Sequence, residues 1–127
     1  MQKGENPILR VQKLDKPMKK QWVTLEDPSL IEIILKSVGD EDKKNIINEV
    51  IDEPHTVSEI LDIGMIPSTS GYRKINALIS DGILIPQGYD TSNDGRRITT
   101  YAAIFDNISI LIEKNKIIVK IRTAQII

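Results

Sequence analysis

Thr56-Val57-Ser58-Glu59-Ile60-Leu61-Asp62-Ile63-Gly64-Met65-Ile66-Pro67-Ser68-Thr69-Ser70-Gly71-Tyr72-Arg73-Lys74-Ile75-Asn76-Ala77-Leu78-Ile79-Ser80-Asp81-Gly82 holds two helix starts, two glycine stops and a short interval between them. Thr56 and Glu59 have the spacing of a capping box, in which the hydroxyl accepts from the third helical amide and the carboxylate accepts from the cap amide. A short helix follows and buries Val57, Ile60 and Leu61 until Gly64 breaks it. Pro67 or Ser68 opens the next helix, whose Gly71, Ile75, Leu78 and Ile79 share one face up to Gly82. Gly71 costs that helix ~1 kcal/mol against alanine, a cost that close approach of the preceding helix would compensate.

Upstream of this pair, Asp27-Pro28 reads as an N-cap followed by proline at the first helical position, and Leu30, Ile31, Ile34, Leu35 and Val38 recur at helical spacing until Gly39. Asp40 opens a second helix with a stripe of Ile46, Ile47, Val50 and Ile51 that Glu53-Pro54 ends. Trp22-Val23-Thr24-Leu25 reads as a strand packing onto the body. Residues 1–24, with Lys3, Arg10, Lys13, Lys16, Lys19 and Lys20, read as a mobile basic arm.

Downstream of Gly82 the period changes to that of strands. Ile83 to Gly88 and Arg97 to Ile104 flank a polar stretch, 89–96, which reads as a hairpin with a long tip. Pro86 lacks an amide donor and therefore marks an edge or a bulge. In a last hairpin, a turn at Lys114-Asn115 sets Ile112 opposite Ile117, Ile110 opposite Val119 and Ile108 opposite Ile121, giving one apolar face. The expected fold class is therefore α+β: four helices and a hairpin over residues 25–105, extended by a C-terminal β-hairpin over 106–127.

The 127 residues suit one domain with one core, and 40% apolar with 28% charged residues is a globular composition. The absence of cysteine excludes disulfides and thiolate chemistry, and the single His55, beside a cap, reads as structural. No apolar run approaches the ~20 residues of a membrane span, so a cytoplasmic protein without membrane contact is expected. Asp90-Thr91-Ser92-Asn93-Asp94-Gly95 is similar to the start of a calcium loop. Arg96 and Arg97 follow, Tyr101 stands at the place of the bidentate glutamate, and strands rather than helices flank it. No phosphate loop or nucleophile with a histidine partner is present in the sequence, so neither catalysis nor a cofactor or metal is expected. The formal charge of −1 conceals a segregation: +4 over residues 1–24, −8 over 25–66 and +3 over 67–127. Any nucleic-acid site is expected in the last of these.

Two helices joined by a tight glycine-containing turn, with helices in front and a hairpin behind, follow the order of a winged helix-turn-helix. The run from His55 to Leu84 resembles the ArsR-like winged-helix transcriptional regulators, with a Thr-x-x-Glu-Ile-Leu opening at Thr56, a Ser/Thr-rich helix start at Ser68 and a Leu-x-x-x-Gly-Ile-Leu exit at Leu78. The resemblance covers about residues 28–105. It implies a homodimer that binds double-stranded DNA, possession of a recognition helix at about 67–81, and a wing whose tip lies at about 89–97. The thiolate metal sensing of many such regulators is out of reach without cysteine, and the sequence does not identify a small-molecule effector.

The residues allow the same reading. With the core centre on Ile75 and about 100° per residue, Thr69, Ser70, Arg73, Asn76, Ala77 and Ser80 face outward, with Lys74 at the flank and Tyr72 at the boundary. An arginine suits guanine, an asparagine adenine, and hydroxyls suit phosphates. Ser68 to Ser70 also bring the free amides of a helix start, which favour a phosphate. The candidate DNA-binding residues are thus Ser68, Thr69, Ser70, Tyr72, Arg73, Lys74 and Asn76, with Arg96 and Arg97 of the wing on the backbone. The acidic block 25–66 and the modest basic count of the fourth helix leave a second reading, a winged-helix protein-interaction module of the transcription or signalling machinery. The apolar surplus of the Ile108–Ile121 hairpin, of helix one and of Ile126-Ile127 marks candidate dimer contacts.

Overall fold

A computed structural model describes residues 21–123, so the basic groups read as an arm at 3–20 and the Ile126-Ile127 pair lie outside the described residues. Among the described residues the chain forms strand β1 (Trp22–Leu25), helices α1 (Pro28–Gly39), α2 (Glu41–Glu49), α3 (Val57–Gly64) and α4 (Ser68–Asp81), and strands β2 (Leu84–Thr91), β3 (Arg97–Ala103), β4 (Phe105–Glu113) and β5 (Lys116–Thr123). This is an α+β architecture with four helices and small antiparallel sheets, compatible with a winged helix. No helix of the described residues is long and apolar enough to cross a membrane.

The helix starts follow local chemistry. The Asp27 carboxylate accepts from Ser29 N at 2.8 Å ahead of Pro28, and Asp40 accepts from Lys43 N at 2.9 Å. In the α3 box, Glu59 N donates to Thr56 Oγ1 at 3.2 Å and Thr56 N donates to Glu59 Oε1 at 2.9 Å. Two stops differ from expectation. The left-handed cap of α3 falls on Met65 (φ 54°), one residue beyond Gly64, which stays helical. The second helix ends at Glu49, before Glu53-Pro54, because Val50 N closes a tight turn on Ile47 O and the buried Val50 then accepts from Ala103 N.

The helices enclose one core of Ile34, Ile46, Val50, Ile60, Ile75 and Leu78, all fully buried, with Leu84 and Phe105 of the strands and Ile83 and Ile104 beside them closing it. Each such side chain contributes roughly 1.5–3 kcal/mol of transfer free energy. The predicted faces of α1 and α4 are the buried ones, with Leu30 and Ile34 on the first and Gly71, Ile75 and Leu78 on the second.

The strands form two sheets: β2 pairs with β3, and β1, β5 and β4 lie in that order in the other. The C-terminal hairpin therefore does not extend the β2–β3 sheet, as the sequence suggested. It pairs with β1, the strand read at Trp22–Leu25, with Val23 opposite Ile121 and Leu25 opposite Val119, so the boundary of the arm drawn at residue 24 falls inside the body. Within the hairpin the register is the expected one: Ile112 faces Ile117, Ile110 faces Val119 and Ile108 faces Ile121. The β2–β3 ladder has the expected irregularity after Pro86, a register shift between Pro86 and Tyr89 with Gly88 at φ +85°. It also continues further than the sequence indicated, since Tyr89-Asp90-Thr91 are strand and only residues 92–96 form the tip. His55 pairs with Tyr101 through reciprocal backbone hydrogen bonds of 3.1 and 2.8 Å, which tie the α2–α3 connection to β3.

Gly71 lies against α3. A Cβ there would collide with Leu61 Cδ2 and stand 3.1 Å from Ile66 Cγ2. Leu61 and Ile66 are both buried and have little room to retreat. Gly71→Ala is therefore expected to destabilise the protein by about 1 kcal/mol or more, since overpacking of about 1–3 kcal/mol outweighs the helix-propensity gain. Urea unfolding measures this, and a more stable variant would mean that α3 and α4 do not meet at Gly71.

Candidate nucleic-acid interface

Helix α4 packs its Gly71-Ile75-Leu78 side against the core, and this fixes the direction of every other side chain on it. Ser68, Thr69, Tyr72, Arg73 and Asn76 are exposed and Ser70 is half-buried. Helical spacing puts Thr69, Tyr72, Arg73 and Asn76 in a single outward row. Arg73 makes no hydrogen bond or ion pair with the described residues, so its guanidinium is available to a ligand. Pro67 supplies no side-chain cap to α4, and the free amides of its first turn lie beside exposed Ser68 and Thr69.

Lys74 is placed differently from the sequence expectation. Its ammonium lies 3.2 Å from Asp40 Oδ1 and 3.0 Å from Asp42 Oδ2, at the start of α2, and most of its side chain is covered. The carboxylates of Asp42 and Asp40, which accept hydrogen bonds from the ammonium, raise its pKa above the ordinary lysine value. Asp40 in turn is held below the ordinary carboxylate range, first by the Lys43 amide and then by Lys74 against the opposing effect of burial. Lys74 therefore joins α4 to α2, and its charge is already compensated within the protein.

The wing arginines are on a separate element. Arg96 and Arg97 are exposed at the β2–β3 tip, and no hydrogen bond or ion pair joins them to α4 among the described residues. Arg96 Nε lies 3.1 Å from Asp94 Oδ2, and the Ser92 hydroxyl hydrogen-bonds Asp94 Oδ1. Those bonds, with the Arg96 amide, lower the Asp94 pKa. Arg97 stacks over the Tyr89 ring, its guanidinium carbon 4.4 Å from the ring centroid. Asp94, the carboxylate a calcium-loop reading would use, is thus engaged in ordering the tip.

Two features lay outside the sequence reading. The Tyr89–Arg97 stack depends on the shift at Gly88, and the position of that shift could not be read from alternation alone. Around the turn that precedes α4, Ile63, Tyr72 and above all Met65, 87% exposed, leave an apolar margin at the surface, with Met65 itself in the left-handed conformation. Its only sequence signal was an apolar residue in the turn, where polar ones are usual.

The ring nitrogens of His55 lie 3.4 Å from Glu59 and 3.8 Å from Glu53, and its backbone carries the bridge to Tyr101. No family model, curated protein or solved structure matches this chain.

The Thr56 amide, and after it His55, hold the Glu59 pKa below the ordinary carboxylate range, while burial opposes them. Depressed carboxylates such as Glu59 and Asp40 stabilise the fold above their unfolded pKa of about 4 and lose that contribution as pH falls through the lower folded value. Stability is accordingly expected to drop below about pH 4. Glu59→Gln, which removes the carboxylate that the Thr56 amide and His55 hold, should cost ~1 kcal/mol at neutral pH and flatten the acid limb. Thermal melts of both proteins between neutral and acid pH test this, and an unchanged acid limb in the variant would remove the box from the account.

Proposed function

We propose that the protein is a sequence-specific, double-stranded DNA-binding transcriptional regulator of the winged helix-turn-helix class, without enzymatic activity. Helix α4 enters the major groove and the β2–β3 tip rests on the backbone. The observation that carries this reading is the outward row of α4. It holds an unpaired arginine, an asparagine and hydroxyls at an uncapped helix start, beside a flap ending in two exposed arginines. Arg73 and Asn76 have the bidentate geometry for guanine and adenine, and Thr69 and Ser68 reach phosphates. Arg96 and Arg97 supply charge without sequence preference. The resemblance to ArsR-like regulators supports the same assignment and a homodimeric state, and its effector remains unassigned.

One observation favours a second reading, in which α4 and its turn bind a protein. The apolar margin of Ile63, Met65 and Tyr72 adjoins the same helix start, and Lys74 contributes no free charge. Salt dependence separates the two. With Arg73, Arg96 and Arg97 as the cations of each protomer, a dimer on duplex DNA is expected to give a log–log slope of affinity against salt of roughly −3 to −5. Arg73→Ala should cost about 1–3 kcal/mol and relax preference at one base pair. Arg97→Ala should weaken all sequences alike, and Lys74→Ala should leave the salt slope unchanged. A duplex affinity indifferent to salt and to Arg73 would transfer the site to the protein-binding reading.

A further inference from the structure

The sheet of β1, β5 and β4 has two unlike faces, and only one of them belongs to the core. Side chains alternate across a pleated strand. Leu25, Val119 and Ile121 are buried, with Val23 and Ile108 packed beside them, so Trp22, Thr24, Lys120, Arg122 and Ser109 stand on the opposite, outer face. The two ladders set the outer residues in rows: Trp22, Arg122 and Asn107 lie side by side, and Thr24, Lys120 and Ser109 form the next row. Ile118 beside Leu111 and Lys116 beside Glu113 continue this face toward the hairpin turn.

The first row is ordered by its own contacts. Arg122 Nε donates to Asp106 Oδ1 at 2.8 Å, and its guanidinium carbon lies 5.9 Å from the centre of the Trp22 ring. Trp22 is nevertheless 49% exposed, an aromatic plane held beside a cation at the surface. In the second row Lys120 is exposed between two hydroxyls and makes no hydrogen bond or ion pair with the described residues. Along the hairpin Lys114, Lys116, Lys120 and Arg122 stand against Glu113 and Asp106, a positive excess in a fold whose helices carry the acidic segment 25–66.

We propose that this outer face binds single-stranded RNA, with a base stacked on Trp22 and the backbone phosphates led across Arg122 and Lys120. Other occupants fit it less well. A second copy would set cation against cation, and the segment that precedes β1, with Lys16, Lys19 and Lys20, is itself basic. A lipid surface needs a continuous apolar patch, whereas Trp22 and Leu111 lie on the two outer strands with Lys120 of the middle strand between them. An acidic peptide would satisfy the cations and leave the ring without a partner. A duplex keeps its bases stacked inside, but a single strand offers a base face to an aromatic ring and a phosphate to each neighbouring cation. Arg122 and Lys120 are two residues apart on one strand, about 6.8 Å, which is close to the interval between successive phosphates. The hydroxyls of Thr24 and Ser109 and the amide of Asn107 flank these cations and can both donate and accept. A ribose 2′-hydroxyl answers both capacities, and it is the group by which a protein distinguishes RNA from DNA. The face is built on elements other than the DNA site, since β1 contacts α1 whereas α4 contacts α2, α3 and β2. RNA binding here is therefore independent of the DNA-binding reading.

Trp22 is the only tryptophan of the chain, so its emission reports this face alone. Titration of the full chain with oligouridine at low salt should quench that emission, with a log–log slope of affinity against salt of roughly −1 to −2, as two cations on a single strand require. Oligodeoxyuridine of the same length should bind several-fold more weakly. Neither polyglutamate nor vesicles of phosphatidylserine with phosphatidylcholine should change the emission. By anisotropy of a labelled strand, Trp22→Ala should weaken binding about ten-fold or more, and Trp22→Phe, which keeps a ring, should retain most of the affinity. Lys120→Glu should weaken binding at least several-fold. Both positions are exposed, and urea unfolding checks that the variants remain folded. No quenching by oligouridine, equal affinity for the deoxy strand, or a response to polyglutamate or to the vesicles would each overturn the proposal, and these three use the unmodified chain. Full affinity in Trp22→Ala or Lys120→Glu, or an equal loss in Trp22→Phe and Trp22→Ala, would overturn it as well. Arg73→Ala, which tests the DNA site, should leave oligouridine binding unchanged, so either site can fail without the other.

Discussion

The contact on which the arrangement depends is the approach of α4 to α3 at Gly71. No other side chain fits beneath Leu61 and Ile66 at that point, and the absence of a Cβ lets the two helices meet through Leu61, Ile66 and Ile75 in one core. Once that side of α4 is buried, the orientation of the helix is fixed, and Thr69, Tyr72, Arg73 and Asn76 point outward. The capping box at Thr56 and the left-handed Met65 fix the other two degrees of freedom, where α3 begins and where the chain turns. A propensity cost inside the fourth helix is therefore what gives the molecule a free face.

Charge follows the same division. The acidic segment 25–66 lies largely on the helices that support α4, and part of it acts within the molecule: Asp40 caps α2 and, with Asp42, holds Lys74. Lys74 thus links two helices distant in sequence, and this compensated cluster leaves α4 with one free cation, Arg73. Under the proposed DNA-binding reading, a face of this kind has little bulk attraction for nucleic acid and would rely on directed contacts, which accords with specificity rather than coating.

Most of the fold was legible because local signals agreed with one another. Pro28 after Asp27, the Thr56–Glu59 box, Gly82 and the Ile108–Ile121 alternation each correspond to an observed cap, stop or register. The departures arise where a distant part of the chain decides. The C-terminal hairpin could not be assigned to a sheet from its own pattern, since β1, some 90 positions earlier, supplies its partner. Lys74 lay at the flank of the helical wheel, and only the position of the α2 start, 34 residues away, turned it inward. Arg73 and Asn76, near the centre of the outward face, were legible because no tertiary contact competes for them. Of the wing, the arginines could be located but not their partners, because the shift after Pro86 changes which residues of β2 and β3 share a face.

The two wing arginines are restrained in different ways, and this gives them different capacities. Arg97 is stacked on Tyr89, an attraction to a ring face that leaves the guanidinium edge free to donate. It can keep its position while meeting a phosphate, so its ordering cost is met before binding. Arg96 is paired with Asp94 in full solvent, where such a pair is worth little, and Asp94 is held in place by Ser92 whether or not Arg96 stays. Exchange of that carboxylate for a phosphate costs Arg96 little, but it leaves Asp94 facing the same anion. The tip is thus built so that Arg97 acts as a fixed contact while Arg96 responds to the strength of the field around it. On the proposed DNA-binding reading, a flap of this construction would grip a backbone at one point and adjust at the next.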